Sequence, residues 1–131
     1  MIGDQLQKAI YAALMADPPL CDGKVYDTVP PDVVEPYIHI GTAQILDDGD
    51  TCADGWECYT DIDIWSVPET GSKIEVMQIG AQVVPRLLAI GVMTDFTVVV
   101  SAVENVRYLD DPDGVTKHGV ITMRHVLMPT A

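Results

Sequence analysis

The chain has 131 residues, 48% of them hydrophobic, with 20 acidic against 7 basic side chains and a formal charge of -13. That length suits one domain over residues 1–131 with a core of its own, and that charge argues against a nucleic-acid groove, which needs clustered Lys and Arg. The cysteines, Cys21, Cys52 and Cys58, form no CxxC pair, so neither a disulfide framework nor a zinc knuckle is indicated; a Cys52–Cys58 bridge across a loop stays open beside the expectation of reduced thiols.

The start, MIGDQLQKAI, lacks the basic residues and apolar run of a signal peptide, and nothing approaches the roughly 20 apolar residues that span a bilayer. Synthesis in a cytoplasm is the expectation. Asp4 to Ala16 reads as a first helix, with Leu6, Ile10, Ala13 and Leu14 on one face, Asp4 as its cap and the DPP of Asp17–Pro19 as its stop. A proline-rich approach over residues 20–36 should run extended, with room for a short strand at Lys24–Tyr26.

YIHIGTAQI from Tyr37 reads as a strand, and an acid-rich loop follows over residues 46–55. Trp56 to Val67 alternates cleanly: Cys58, Ile62 and Ile64 point one way, and Tyr59, Asp61, Asp63 and Trp65 the other. A second helix, about Ser72 to Leu88, should bury Ile74, Met77, Ala81, Val84 and Leu88, with Pro85 kinking it or ending it early. Two β-rich runs, Phe96–Leu109 and Val115–Met128, close the chain. The expected fold is therefore α+β: a mainly antiparallel four-stranded sheet in the order α-β-β-α-β-β, with both helices on one face.

Three acidic stretches invite a chemical reading. The DDPDG run at Asp110–Gly114 fails as an EF-hand, because Leu109 and Val120 would occupy the first and last ligand positions. It fits a tight turn instead, with Pro112 presetting φ and Asp113-Gly114 supplying a positive-φ position. The loop carrying Asp47, Asp48, Asp50 and Asp54 matches that frame no better, since Cys52 takes a ligand position; a solvated or partner-facing loop is its default. Asp61 and Asp63 share a strand face at a spacing of roughly 6–7 Å, which suits a two-carboxylate hydrolase but is far commoner as a solvent-facing pair. His39, His118 and His125 are scattered among the strands, where sheet-surface or hydrogen-bonded roles are expected. P-loop, GxGxxG and HExxH motifs are absent from the sequence, and no catalytic, metal or cofactor site is indicated.

The helix LQKAIYAALMAD, then GKVYDTVPP, PYIHIG, YTDIDIWS and DPDGVTKHGVITMR resemble, in that order, the tail terminator or tail-completion proteins of long-tailed phages and gene transfer agents. The resemblance covers about Leu6 to Leu127, and its most specific parts, distinctive in combination, are VP…PYIHIG and D-x-DG-x-x-x-HG. It implies a structural virion protein rather than an enzyme. Such proteins form a ring, usually a hexamer, that caps the tail tube, meets the head-side connector proteins and passes DNA through its hole. Tyr59, Asp61, Asp63 and Trp65 are then candidates for a subunit or tube interface, and Asp47, Asp48, Asp50 and Asp54 for a loop facing a partner or the channel. The readings from other classes are a small acidic module holding a cation or a basic partner, and the Asp61/Asp63 hydrolase.

Overall fold

The computed structural model describes residues 2–50 and 53–130. Its elements are α1 (Ile2–Met15), a 3-10 turn (Leu20–Gly23), β1 (Val25–Tyr26), β2 (Tyr37–Asp47), β3 (Trp56–Ser66), α2 (Ile74–Leu88), β4 (Phe96–Asp110) and β5 (Lys117–Pro129).

The four-stranded antiparallel expectation is wrong. The sheet has five strands in the order β1-β2-β3-β5-β4, and β1 runs parallel to β2, with Val25 opposite Ile38 and Tyr26 opposite His39. The sheet is therefore mixed, and the chain order is α-β-β-β-α-β-β. A strand of two residues has no alternation to read, and a parallel neighbour requires a crossover rather than a hairpin. Residues 27–36, with Pro30, Pro31 and Pro36, make that crossover. The other three pairings, β2–β3, β3–β5 and β5–β4, are antiparallel.

Alternation along β3 sorts its side chains. Cys58, Thr60, Ile62, Ile64 and Ser66 are buried, while Glu57, Tyr59, Asp61, Asp63 and Trp65 are half-buried on the opposite face. The buried face joins Ile38 and Ile40 of β2 and Ile121, Met123 and Leu127 of β5 beneath Leu6, Ile10 and Leu14 of α1 and Val76, Val83 and Leu87 of α2. Both helices thus cover one face, α1 over β1 and β2, α2 over β3, β5 and β4.

Helix α2 is turned relative to expectation. It buries Val76, Gly80, Val83 and Leu87, whereas Ile74, Met77, Ala81 and Leu88 face solvent and Val84 is half-buried. Both sets have helical spacing, so periodicity cannot choose between them. Close packing does: the ring of Tyr108, on β4, lies against Gly80 and Gly119, in space that a Cβ would fill. Pro85 neither ends the helix early nor sits in its buried stripe; it is exposed, and the helix continues to Leu88. Helix α1 starts at Ile2, so Asp4 lies in its first turn rather than capping it.

The C-terminus of α1 is capped from α2. Arg86 donates through Nη1 to the carbonyls of Ala13 (3.2 Å), Leu14 (3.2 Å) and Ala16 (2.8 Å) and through Nη2 to that of Pro18 (2.7 Å). A guanidinium there satisfies carbonyls that the helix cannot and complements the negative end of its dipole.

The β4–β5 connection is the tight turn expected. Gly114 has φ +77°, its N–H donates to the Asp111 carbonyl (2.9 Å), and Asp113 Oδ1 accepts from the N–H groups of Val115 (2.9 Å) and Thr116 (2.8 Å).

Candidate functional site

The helix-free face of the sheet gathers most of the residues singled out from the sequence, and cross-strand register decides their partners. Trp65 lies opposite His118, and the two rings stack with centroids 3.8 Å apart and planes 9° apart. His118 Nε2 donates to Asp63 Oδ1 at 2.8 Å, and Nδ1 of His39, on the other neighbouring strand, lies 3.4 Å from Asp63 Oδ2. His39 Nε2 in turn donates to the Asp27 carbonyl at 3.1 Å, tying the crossover segment to the sheet. Gly41 keeps this centre open: a Cβ there would stand 2.6 Å from Asp63 Oδ2.

Asp61 is engaged separately, accepting from Thr122 Oγ1 at 2.6 Å. At the far end of the strand the Tyr59 hydroxyl donates to Glu57, whose other oxygen pairs with Arg124 Nη2 at 3.2 Å. The Tyr59 hydroxyl and the Arg124 guanidinium hold the Glu57 carboxyl below the ordinary range, and the same carboxylate raises the Tyr59 hydroxyl. Asp61 and Asp63 therefore share a face as read from the alternation, but each is bound to a different neighbour. The histidine partners of Asp63 lie on strands β2 and β5, and no local spacing in the sequence signals that meeting.

Chemically, this face is a lattice in which Glu57, Asp61 and Asp63 are each fixed by a cross-strand partner, Arg124, Thr122 and His118. The imidazole of His118 is flat against Trp65 and hydrogen-bonded to Asp63, and His39 is held between Asp63 and a backbone carbonyl, so both rings serve as cross-strand clamps. Among the described residues no group of three or more His, Cys, Asp or Glu side chains is placed to hold a metal ion.

The acid-rich loop closes the β2–β3 hairpin. Backbone bonds from Asp48 to Gly55 and from Asp50 to Ala53, both 2.8 Å, shape it, and Asp47 and Asp50 accept the N–H groups of Gly49 (2.9 Å) and Ala53 (2.8 Å). Asp47, Asp48, Asp50 and Asp54 are all exposed there. Cys52 lies outside the described residues, and with it the question of a Cys52–Cys58 bridge. Burial pushes the thiols of Cys21 and Cys58 up to about 11, which keeps them protonated and unreactive near neutral pH.

Cations are largely spent within the chain. Lys8 pairs with Asp4, Lys73 and Lys117 with Asp110, and Arg124 with Glu57, while Lys24 and Arg86 hold backbone carbonyls. Arg107, exposed on β4, is the one basic side chain without an ion pair or hydrogen bond to the described residues.

The chain is thus a mixed sheet covered by two helices on one face, with cross-strand side-chain pairs on the other. The family described as "Tail completion protein gp17" matches residues 8–127, and the chain belongs to that family. It is a structural protein of the virion tail. Its fold is similar to that of a chain in the structure titled "Virion of native gene transfer agent (GTA) particle", with a TM-score of 0.86 and 20% identity over 97% of each chain. No curated protein matches it. No helix among the described residues is long and apolar enough to cross a membrane.

Proposed function

We propose that this tail completion protein closes the tail as a ring of roughly six copies, docks on the tail tube, and presents its other side to the head-tail connector proteins. DNA passes through the hole without being bound, and the protein performs no catalysis. The observation that carries this reading is the family match over residues 8–127, joined to a formal charge of -13 that leaves the chain poor in cations. A channel for DNA works best when phosphates find no cations to hold them. Here the helix-free face, with Tyr59, Asp61, Asp63 and Trp65, turns toward the hole or the tube, and the loop with Asp47, Asp48, Asp50 and Asp54 projects at the rim toward the adjoining tail component.

Light scattering and electron microscopy of the purified protein, alone and on tail tubes, test the ring. A closed ring is expected at high protein concentration in moderate salt, which screens repulsion between copies that each carry a charge of -13. A strictly monomeric protein at about 1 mM that also stays monomeric on tubes overturns the reading. Changing Asp47, Asp48, Asp50 and Asp54 to asparagine is expected to leave the fold intact and lower the yield of DNA-delivering particles. Unchanged delivery would remove the loop from this account.

A further inference from the structure

Aspartate followed by glycine is the pair at which a backbone most readily rearranges on itself, because a residue without a Cβ lets its amide nitrogen approach the preceding carboxyl carbon. The chain holds four such pairs, Asp22-Gly23, Asp48-Gly49, Asp54-Gly55 and Asp113-Gly114. The fold treats them differently. At Asp113 the carboxylate accepts from the N–H groups of Val115 and Thr116 and from the Thr116 hydroxyl (2.6 Å), and the Gly114 N–H is given to the Asp111 carbonyl. Both reacting groups are tied there. At Asp54 the nitrogen belongs to a buried residue, Gly55, and Gly49 packs against it, with a Cβ position 3.0 Å away. Asp22 is held in left-handed backbone, φ 54°, inside the 3-10 turn that the Lys24 N–H closes on the Cys21 carbonyl (3.0 Å).

Asp48-Gly49 stands apart. Both residues are exposed in the β2–β3 connection, and the Asp48 carboxylate has no partner among the described residues. The Gly49 N–H points at Asp47 Oδ1 (2.9 Å), so the nitrogen that would react already has a carboxylate base on its proton. The backbone carbonyl that serves Gly114 cannot take a proton up in this way.

We propose that Asp48-Gly49 is a site of spontaneous rearrangement to isoaspartate, with Asp47 as its base. The Gly49 nitrogen attacks Cγ of the protonated Asp48 carboxyl, and the N–Cγ bond forms as the N–H proton passes to Asp47. The Cγ–OH bond then breaks, and the hydroxyl takes that proton back from Asp47 and leaves as water. The product is a cyclic succinimide. Water, the only co-reactant, opens it at either carbonyl. Attack at Cγ restores aspartate; attack at the main-chain carbonyl leaves the backbone running through Cβ and Cγ, with a free α-carboxylate. That backbone is longer by one methylene, and the loop has no room for it. A Cβ at Gly49 would already stand 2.8 Å from the Ala53 carbonyl oxygen and 3.1 Å from Asp54 Cα. The backbone bonds from Asp48 to Gly55 and from Asp50 to Ala53 therefore cannot both survive, and the end of the hairpin is remodelled while the sheet below stays paired. This ageing site does not depend on the ring reading, nor on the loop meeting another tail component.

The test ages the full chain for weeks at mildly acidic pH, folded in buffer and unfolded in urea side by side. Peptide mapping by mass spectrometry with electron-transfer fragmentation locates isoaspartate and the intermediate lighter by one water. In the folded chain isoaspartate is expected at Asp48 several-fold faster than at Asp22, Asp54 or Asp113. In urea the four pairs should react at similar rates, because glycine follows each of them. Asp47→Asn keeps an acceptor oxygen for the Gly49 N–H but removes the base, so it should slow the reaction at Asp48 several-fold in the folded chain. Circular dichroism checks that this variant folds, and the comparison of folded with unfolded unmodified chain decides the matter without it. Equal accumulation at the four pairs of the folded chain overturns the proposal. So does a faster reaction at any of the other three, and so does a folded Asp47→Asn chain that ages as fast as the unmodified one.

Discussion

Replacing Gly80 by alanine should reverse the usual sign of that exchange. In an open helix interior it gains about 1 kcal/mol, because alanine gives up less backbone entropy. At Gly80 the added Cβ would overlap the Tyr108 hydroxyl and lie 3.1 Å from ring carbon Cζ and 3.3 Å from Cε1. The ring has little room to retreat, since it also lies 3.2 Å from the Cβ position of Gly119, across the gap between α2 and β5. Forcing a well-packed site in this way costs about 1–3 kcal/mol. With the propensity gain set against a steric cost in the upper part of that range, Gly80→Ala should destabilise by about 1 kcal/mol or somewhat more. With Tyr108→Ala already present the clash is absent, and the same change should stabilise by about 0.5–1 kcal/mol. The coupling is then about 2 kcal/mol, within the range for residues in contact. Tyr108→Phe should fall between, because it removes the overlapping oxygen and leaves the close ring carbon. Urea unfolding of the four chains in a double-mutant cycle measures this directly. Additive changes, or a Gly80→Ala chain more stable than the unmodified one, would refute the packing argument.

Other residues give independent tests. Arg86→Met removes a charged donor from four carbonyls and should cost about 2–4 kcal/mol, with faster amide exchange in the last turn of α1; Arg86→Lys should recover part of this, and a silent Arg86→Met would show that water caps the helix equally well. Gly114→Val places a β-branched residue at φ +77° and should cost about 1–2 kcal/mol through backbone strain, read as a lowered thermal midpoint. Asp113→Asn keeps one acceptor oxygen and should be milder than Asp113→Ala, which leaves the Val115 and Thr116 N–H groups without it; equal midpoints for the two variants would remove that role. His125 is fully buried, donates through Nε2 to the Leu87 carbonyl (3.0 Å), and has no partner for Nδ1 among the described residues. Burial lowers its pKa, so the unfolded chain takes up a proton before the folded one. Stability should be level above the ordinary histidine value of about 6.5 and fall as pH drops below it toward the folded value. His125→Met should flatten that limb, and an unchanged limb in this variant would locate the proton elsewhere.

Local patterns carried much of this protein. Alternation along Trp56–Ser66 was enough to separate Ile62 and Ile64 from Tyr59, Asp61, Asp63 and Trp65, because a strand turns successive side chains to opposite faces whatever it pairs with. The Asp113-Gly114 turn was legible for a similar reason: the demand for positive φ is met within a few residues. The ordered run of motifs from LQKAIYAALMAD to HGVITMR was enough to point to the tail completion family. What needed the tertiary structure was everything set by distant partners. Two stripes of α2 have the same period, and only the Tyr108 ring seated at Gly80 and Gly119 determines which of them is buried. The parallel β1–β2 pair, the Arg86 cap on a helix some 70 residues earlier in the chain, and the histidines on either side of Asp63 all depend on register and crossover. Those are settled by long-range packing, which the spacing of residues along a chain does not encode.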